Sequence, residues 1–115
     1  MEKNDNQKKL KALKNWLKEN NITFVDNHVS DFGVKMEVMI PKLNIAVFLS
    51  DGNKDEENKK YNAGTGKRKL FRVYRPFFIR ESESLEFVLE KLQNCCFDRM
   101  MWLQKTFENK NKKQK

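Results

Sequence analysis

A chain of 115 residues has room for one hydrophobic core and not two, and its nine phenylalanines carry too much apolar mass for a wholly disordered segment. The 24 Lys and Arg outnumber the 16 Asp and Glu, and this net charge of +8 either serves solubility alone or favours anionic partners: nucleic acid, an acidic protein or a membrane surface. The longest apolar run, Ile45 to Leu49, is too short to span a bilayer, and Met1 to Leu10 lack the apolar centre of a signal peptide, so no membrane association and a cytoplasmic location are expected.

In chain order, Asn4 or Asp5 caps a first helix that runs to about Glu19, its stripe made by Leu10, Leu13, Trp16 and Leu17. Asn20 and Asn21 suit the left-handed residue that ends a helix. A short strand, Ile22 to Val25, precedes a polar turn at Asp26 and Asn27. Val34, Met36, Val38 and Ile40 alternate with Lys35, Glu37 and Met39, the period of a strand. Pro41 breaks that run, and Leu43 to Leu49 follows as a second strand. A hairpin turning at Pro41–Lys42 or over Pro41 to Asn44 pairs residues whose numbers sum to an odd value. Either turn places Val34, Met36, Val38 and Ile40 on one face with Leu43, Ile45, Val47 and Leu49, and Glu37 on the other with Phe48 and Ser50. Residues 51–67 read as a long loop with a helical turn around Asp55 to Lys60. Leu70 to Tyr74 reads as a third strand ended by Pro76, and Phe77 to Ile79 as a short fourth. Ser82 or Ser84 caps a long last helix whose stripe is Leu85, Val88, Leu89, Leu92, Cys96 and Leu103. The expected architecture is an α/β domain over residues 1–108, a mixed, mostly antiparallel four-stranded sheet flanked by the N- and C-terminal helices. Residues 109–115 read as a disordered basic tail.

Several chemistries are excluded or weakened by residue type. His28 is the only histidine, so a His-rich metal site and a serine triad are ruled out. Cys95 and Cys96 are adjacent on a helix, where a disulfide is strained, and they read as packed thiols. Gly64-Thr65-Gly66-Lys67 suggests a phosphate loop, but Arg68 stands where Ser or Thr is required and Tyr61 where the first glycine belongs.

The order of helix, strand, hairpin, loop, strand and helix resembles the restriction-endonuclease-like (PD-(D/E)XK) superfamily, above all its small very-short-patch-repair type of domain. The resemblance covers about Leu10 to Leu92. It rests on Asn-Asn-Ile-Thr-Phe after the first helix, on residues 35–52 as the catalytic hairpin, and on Lys69 to Val73 and Leu85 to Leu92 as the closing strand and helix. The family implies a metal-binding acid on the first hairpin strand, matched by Glu37. It also implies an acid and then a lysine on the second, where this chain has Phe48 and Ser50. A phenyl ring offers Mg²⁺ no ligand. Asp51 is the acid that could migrate into the role, though its position points it toward the opposite side or puts it in the turn. Otherwise Glu37 reads as a solvated strand residue paired with Lys35 or an arginine.

Lys67, Arg68, Lys69, Arg72, Arg75 and Arg80 form a basic run interleaved with aromatics, the composition that binds phosphates and stacks on bases, and the first five are the candidate nucleic-acid-binding residues. The competing reading is a charged edge strand that deters aggregation. On the last helix Phe87, Phe97, Met101 and Trp102 make a second apolar stripe, which fits a homodimer or a partner protein. The expectation is therefore a non-catalytic nucleic-acid-binding protein on a degenerate nuclease-like fold, with DNA favoured over RNA and no cofactor. The alternatives are a protein-interaction module and an Mg²⁺-dependent nuclease.

Overall fold

The structure, a computed structural model, describes residues 2–30, 33–66 and 68–113, with side chains placed for 6–30, 33–66 and 68–105. Helix α1 (Glu2–Glu19) leads into strands β1 (Val25–Val29), β2 (Lys35–Ile40) and β3 (Ile45–Ser50). Helix α2 (Lys54–Tyr61), the two-residue strands β4 (Gly64–Thr65) and β5 (Arg68–Lys69) and the single turn α3 (Leu70–Val73) then carry the chain to β6 (Arg75–Arg80) and α4 (Leu85–Lys113). The sheet order is β1-β2-β3-β6, antiparallel through the first three strands and parallel between β3 and β6. The chain is thus an α/β fold with a mixed four-stranded sheet and flanking helices. A separate small ladder joins β4 to β5.

Local signals account for most boundaries. α1 ends where Asn21 takes a φ of 58°, with the Ile22 N–H donating to the Leu17 carbonyl and the Asn21 N–H to Lys18, closing the last turn. The Asn53 side chain accepts the N–H groups of Asp55 and Glu56 at the start of α2, and the Ser84 hydroxyl accepts that of Phe87 at the start of α4. The β2–β3 connection is the four-residue turn Pro41 to Asn44, with Ile40 opposite Ile45 and Asn44 at a φ of 53°.

The sheet divides two cores. On one face α1 and α4 supply Leu10, Leu13, Leu17, Val88, Leu92, Cys95 and Cys96 against Val38, Ile40, Ile45, Val47, Phe77 and Ile79. On the other, Leu70 of α3 seals Met36, Ala46 and Phe48. Buried Lys9 fastens α1 to the end of β6 by donating to the Arg80 and Glu81 carbonyls at 3.0 and 3.2 Å.

Several sequence expectations are corrected. The first strand is Val25–Val29, through the residues expected as a turn, its distortion confined to Asn27 at a φ of 50°. Residues 51–67 hold a complete helix and strand β4 rather than a loop with one turn. Leu70 to Val73 is a helical turn, closed by the Tyr74 N–H on the Leu70 carbonyl at 2.8 Å. Pro76 lies inside β6 instead of ending a strand, which the edge position of β6 permits because an edge strand has N–H groups with no ladder partner. Leu85 is exposed rather than part of the core stripe. The α4 backbone continues as helix to Lys113, into the stretch read as a tail.

Candidate nucleic-acid interface

The parallel pair β3–β6 has Ile45 beside Arg75 at one end and Ser50 beside Arg80 at the other, and each end opens into a cavity. At the Arg75 end the β2–β3 turn is held by two basic residues: the Arg75 N–H donates to the Asn44 carbonyl at 2.7 Å and Arg99 Nε to that of Leu43 at 2.8 Å. Around this turn lies a cleft of about 400 Å³ lined by Arg72, Arg75 and Arg99 together with Tyr61, Phe71, Tyr74 and Trp102. The Tyr61 and Phe71 rings stack at 4.9 Å and within 3° of parallel, while Arg99 lies 4.8 Å from the Trp102 ring and Arg72 5.5 Å from that of Phe71. Among the described residues none of these three arginines pairs with a carboxylate. Such a surface offers phosphates charge-assisted donors and bases a stacking platform.

Of the basic run, Arg72 and Arg75 meet in this cleft, Arg68 and half-buried Lys69 form β5 and are not among its lining residues, Arg80 ends β6 bound to Glu57, and Lys67 lies outside the described residues. Arg99 was missed by sequence reasoning. Its signal was a basic residue at position 99 within the apolar stripe of α4, between Cys96 and Leu103. Trp102, assigned from sequence to an interface stripe, lines the cleft at 53 % exposure. Phe87, Phe97 and Met101 are exposed on α4, as is Met100.

The nuclease-like positions are occupied differently. Phe48 is fully buried, stacked on Phe78 at 5.4 Å with the Lys60 ammonium 5.5 Å from its ring. The Ser50 hydroxyl donates to Glu57 Oε2 at 2.5 Å. Arg80 grips the same carboxylate with both arms, Nε to Oε2 and Nη2 to Oε1, each at 2.9 Å. The Arg80 hydrogen bond holds the Glu57 carboxyl below its ordinary range, outweighing desolvation, with Ser50 assisting. Glu83 extends the network by accepting from Arg80 and from Lys91 at 2.9 Å.

Glu37 is half-buried, but β2 pairs with β3 only as far as Val38–Val47, so the hairpin register stops short of it. Met36 and Val34, expected on the face of Val38, pack instead with Phe48. Asp51 is exposed beyond β3, one oxygen accepting the Asn53 N–H. Glu37 and Asp51 are therefore not brought together. Among the described residues no three Asp, Glu, His or Cys side chains form a group able to hold a metal ion. Burial raises the Cys95 thiol and pushes that of Cys96 up to about 12, so both stay protonated inside the core. No described helix is long and apolar enough to cross a membrane. Comparison with protein-family models, with curated proteins and with solved structures finds no match for the chain.

Proposed function

We propose that the chain is a nucleic-acid-binding protein on a degenerate restriction-endonuclease-like scaffold. One observation carries the reading: three arginines without carboxylate partners share a cleft with four aromatic side chains at the turn end of the sheet. At the other end of the sheet Glu57 and Glu83 neutralise Arg80, whereas here the cations stay available. The element order supports the scaffold assignment: helix, three antiparallel strands, a helical crossover, a fourth strand and a closing helix. Against catalysis stands the second hairpin strand. Its two critical positions are a buried ring and a hydroxyl bound to a carboxylate that an arginine already neutralises. DNA is the favoured ligand, and the proposed role is binding without catalysis.

The test is a salt series on duplex and single-stranded DNA and RNA with the wild type and an Arg72→Glu/Arg75→Glu variant, both positions being exposed. Affinity should fall linearly with log salt, and the variant should lose a slope of about two, roughly 0.9 per phosphate contact. Absence of binding at low salt, or an unchanged slope in the variant, would overturn the assignment.

A second contact is supported by the outer face of α4, where Phe97 is 64 % and Phe87 50 % exposed. We assign this face to self-association.

A further inference from the structure

The cations of the turn-end cleft come from three different elements, Arg72 from α3, Arg75 from β6 and Arg99 from α4. Its two most exposed rings are Trp102, 53 % exposed, and Tyr61, 40 % exposed. Both rings are held in place. Tyr61 lies within 3° of parallel to Phe71 at 4.9 Å. Arg99 is tied through Nε to the Leu43 carbonyl at 2.8 Å, so the guanidinium 4.8 Å from the Trp102 ring is anchored to the β2–β3 turn. A ligand therefore meets side chains that have already given up part of their freedom, which lowers the entropy lost on binding. Wide, rigid ring faces left open to water beside three arginines have the composition of a stacking platform in a phosphate-binding groove.

Shape decides which kind of nucleic acid fits. Duplex DNA is read by a protruding helix or two-stranded ribbon that enters a major groove about 12 Å wide. Here the charges and rings line a concavity of about 400 Å³, a space that encloses one small group and does not embrace a double helix. Inside a duplex, moreover, the faces of each base are covered by its neighbours. To reach a ring in the cleft such a base would first have to be flipped out of the stack. An unpaired base has an open face and meets the ring without that step.

Resting on the assignment of this cleft to nucleic acid, we infer that it selects single strands, with an unpaired base stacked on Trp102 and the adjoining phosphates held by Arg72 and Arg75. Stacking uses the face of a base and not its hydrogen-bonding edge, so the selection is for strandedness and only weakly for sequence.

The experiment titrates the whole chain with oligothymidylate and with a mixed-sequence duplex of the same length, followed by anisotropy and tryptophan fluorescence. The single strand should bind about tenfold more tightly than the duplex and quench the fluorescence. Trp16 is half-buried against the core, so Trp102→Phe identifies the responding ring: the strand still binds and the quench is lost. Trp102→Ala should weaken the single strand about tenfold with an unaltered salt slope, because a stacking contact displaces no counterion. Trp102 lies outside the core, and thermal melts of the variant check that the fold is kept. Free thymidine monophosphate separates a strand from a lone nucleotide and should bind more weakly than the oligomer. Single-strand selection is overturned if the duplex binds as tightly as the strand, if Trp102→Ala binds the strand like wild type, or if the mononucleotide binds more tightly. In each of those cases the nucleic-acid assignment still stands where Arg72→Glu/Arg75→Glu lowers the salt slope. An unchanged slope in that variant, or no binding of any probe at low salt, removes the assignment and the selection together.

Discussion

Glu57 has a side chain only 12 % exposed, yet it stays ionised because Arg80 meets both of its oxygens. Its folded value lies below the ordinary 4.5, so the unfolded chain binds the proton more readily in the window beneath that value. Its contribution to stability is complete above about pH 4.5 and is lost as the pH falls through the lowered value. Glu57→Gln should therefore flatten the acid limb of a stability–pH profile followed by thermal melts. At neutral pH it should cost about 1–2 kcal/mol, discounted because the Arg80 end is 38 % exposed and screened by water. Phe48 makes a sharper case. Rewriting the hairpin as Phe48→Glu with Ser50→Lys places a carboxylate at a fully buried position and a second cation beside Arg80. We expect no Mg²⁺- or Mn²⁺-dependent cleavage of plasmid. Loss of the ring alone should lower stability by about 3–5 kcal/mol, read from denaturant unfolding. Metal-dependent cleavage by this variant would mean that the strand retains a working geometry.

At the scale of elements, α4 presents two faces with different duties. Val88, Leu92, Cys95 and Cys96 are buried against the sheet and α1, and Phe87, Phe97, Met100 and Met101 stand exposed on the other side. Phe97→Lys/Met101→Lys should convert a self-associating species to monomer in sedimentation experiments without lowering the thermal midpoint, since neither residue contributes to the core. A wild type that is monomeric at high concentration would remove the interface. The second stripe was legible in the sequence because helical spacing fixes which residues share a face. The segment from Leu70 to Tyr74 was not, because Leu, Phe, Val and Tyr favour strands and the decision rests on Leu70 entering the pocket beside Phe48. Likewise the odd-sum pairing of the hairpin held from Val38 to Ile40. It failed at Met36, where β2 parts from β3 and alternation no longer has a partner strand to enforce it.

Across the whole molecule, charge is sorted along the β3–β6 axis, with arginines and aromatics at the turn end and carboxylates at the other. The basic run in the sequence revealed half of the first cavity through Arg72 and Arg75. Arg99 enters from α4 only because the helix packs back over the β2–β3 turn, a juxtaposition no local pattern encodes. The same long-range closure governs α1, whose Lys9 reaches partners 71 and 72 residues away and whose leucines are covered by α4. During synthesis this gives the chain a definite order of assembly. The β1–β2–β3 meander can form from neighbouring residues and offers α1 one apolar face, but the cover from β6 and α4 arrives only after those elements have been made. Between the synthesis of α1 and that of α4, part of the α1 stripe is left for chaperones to shield.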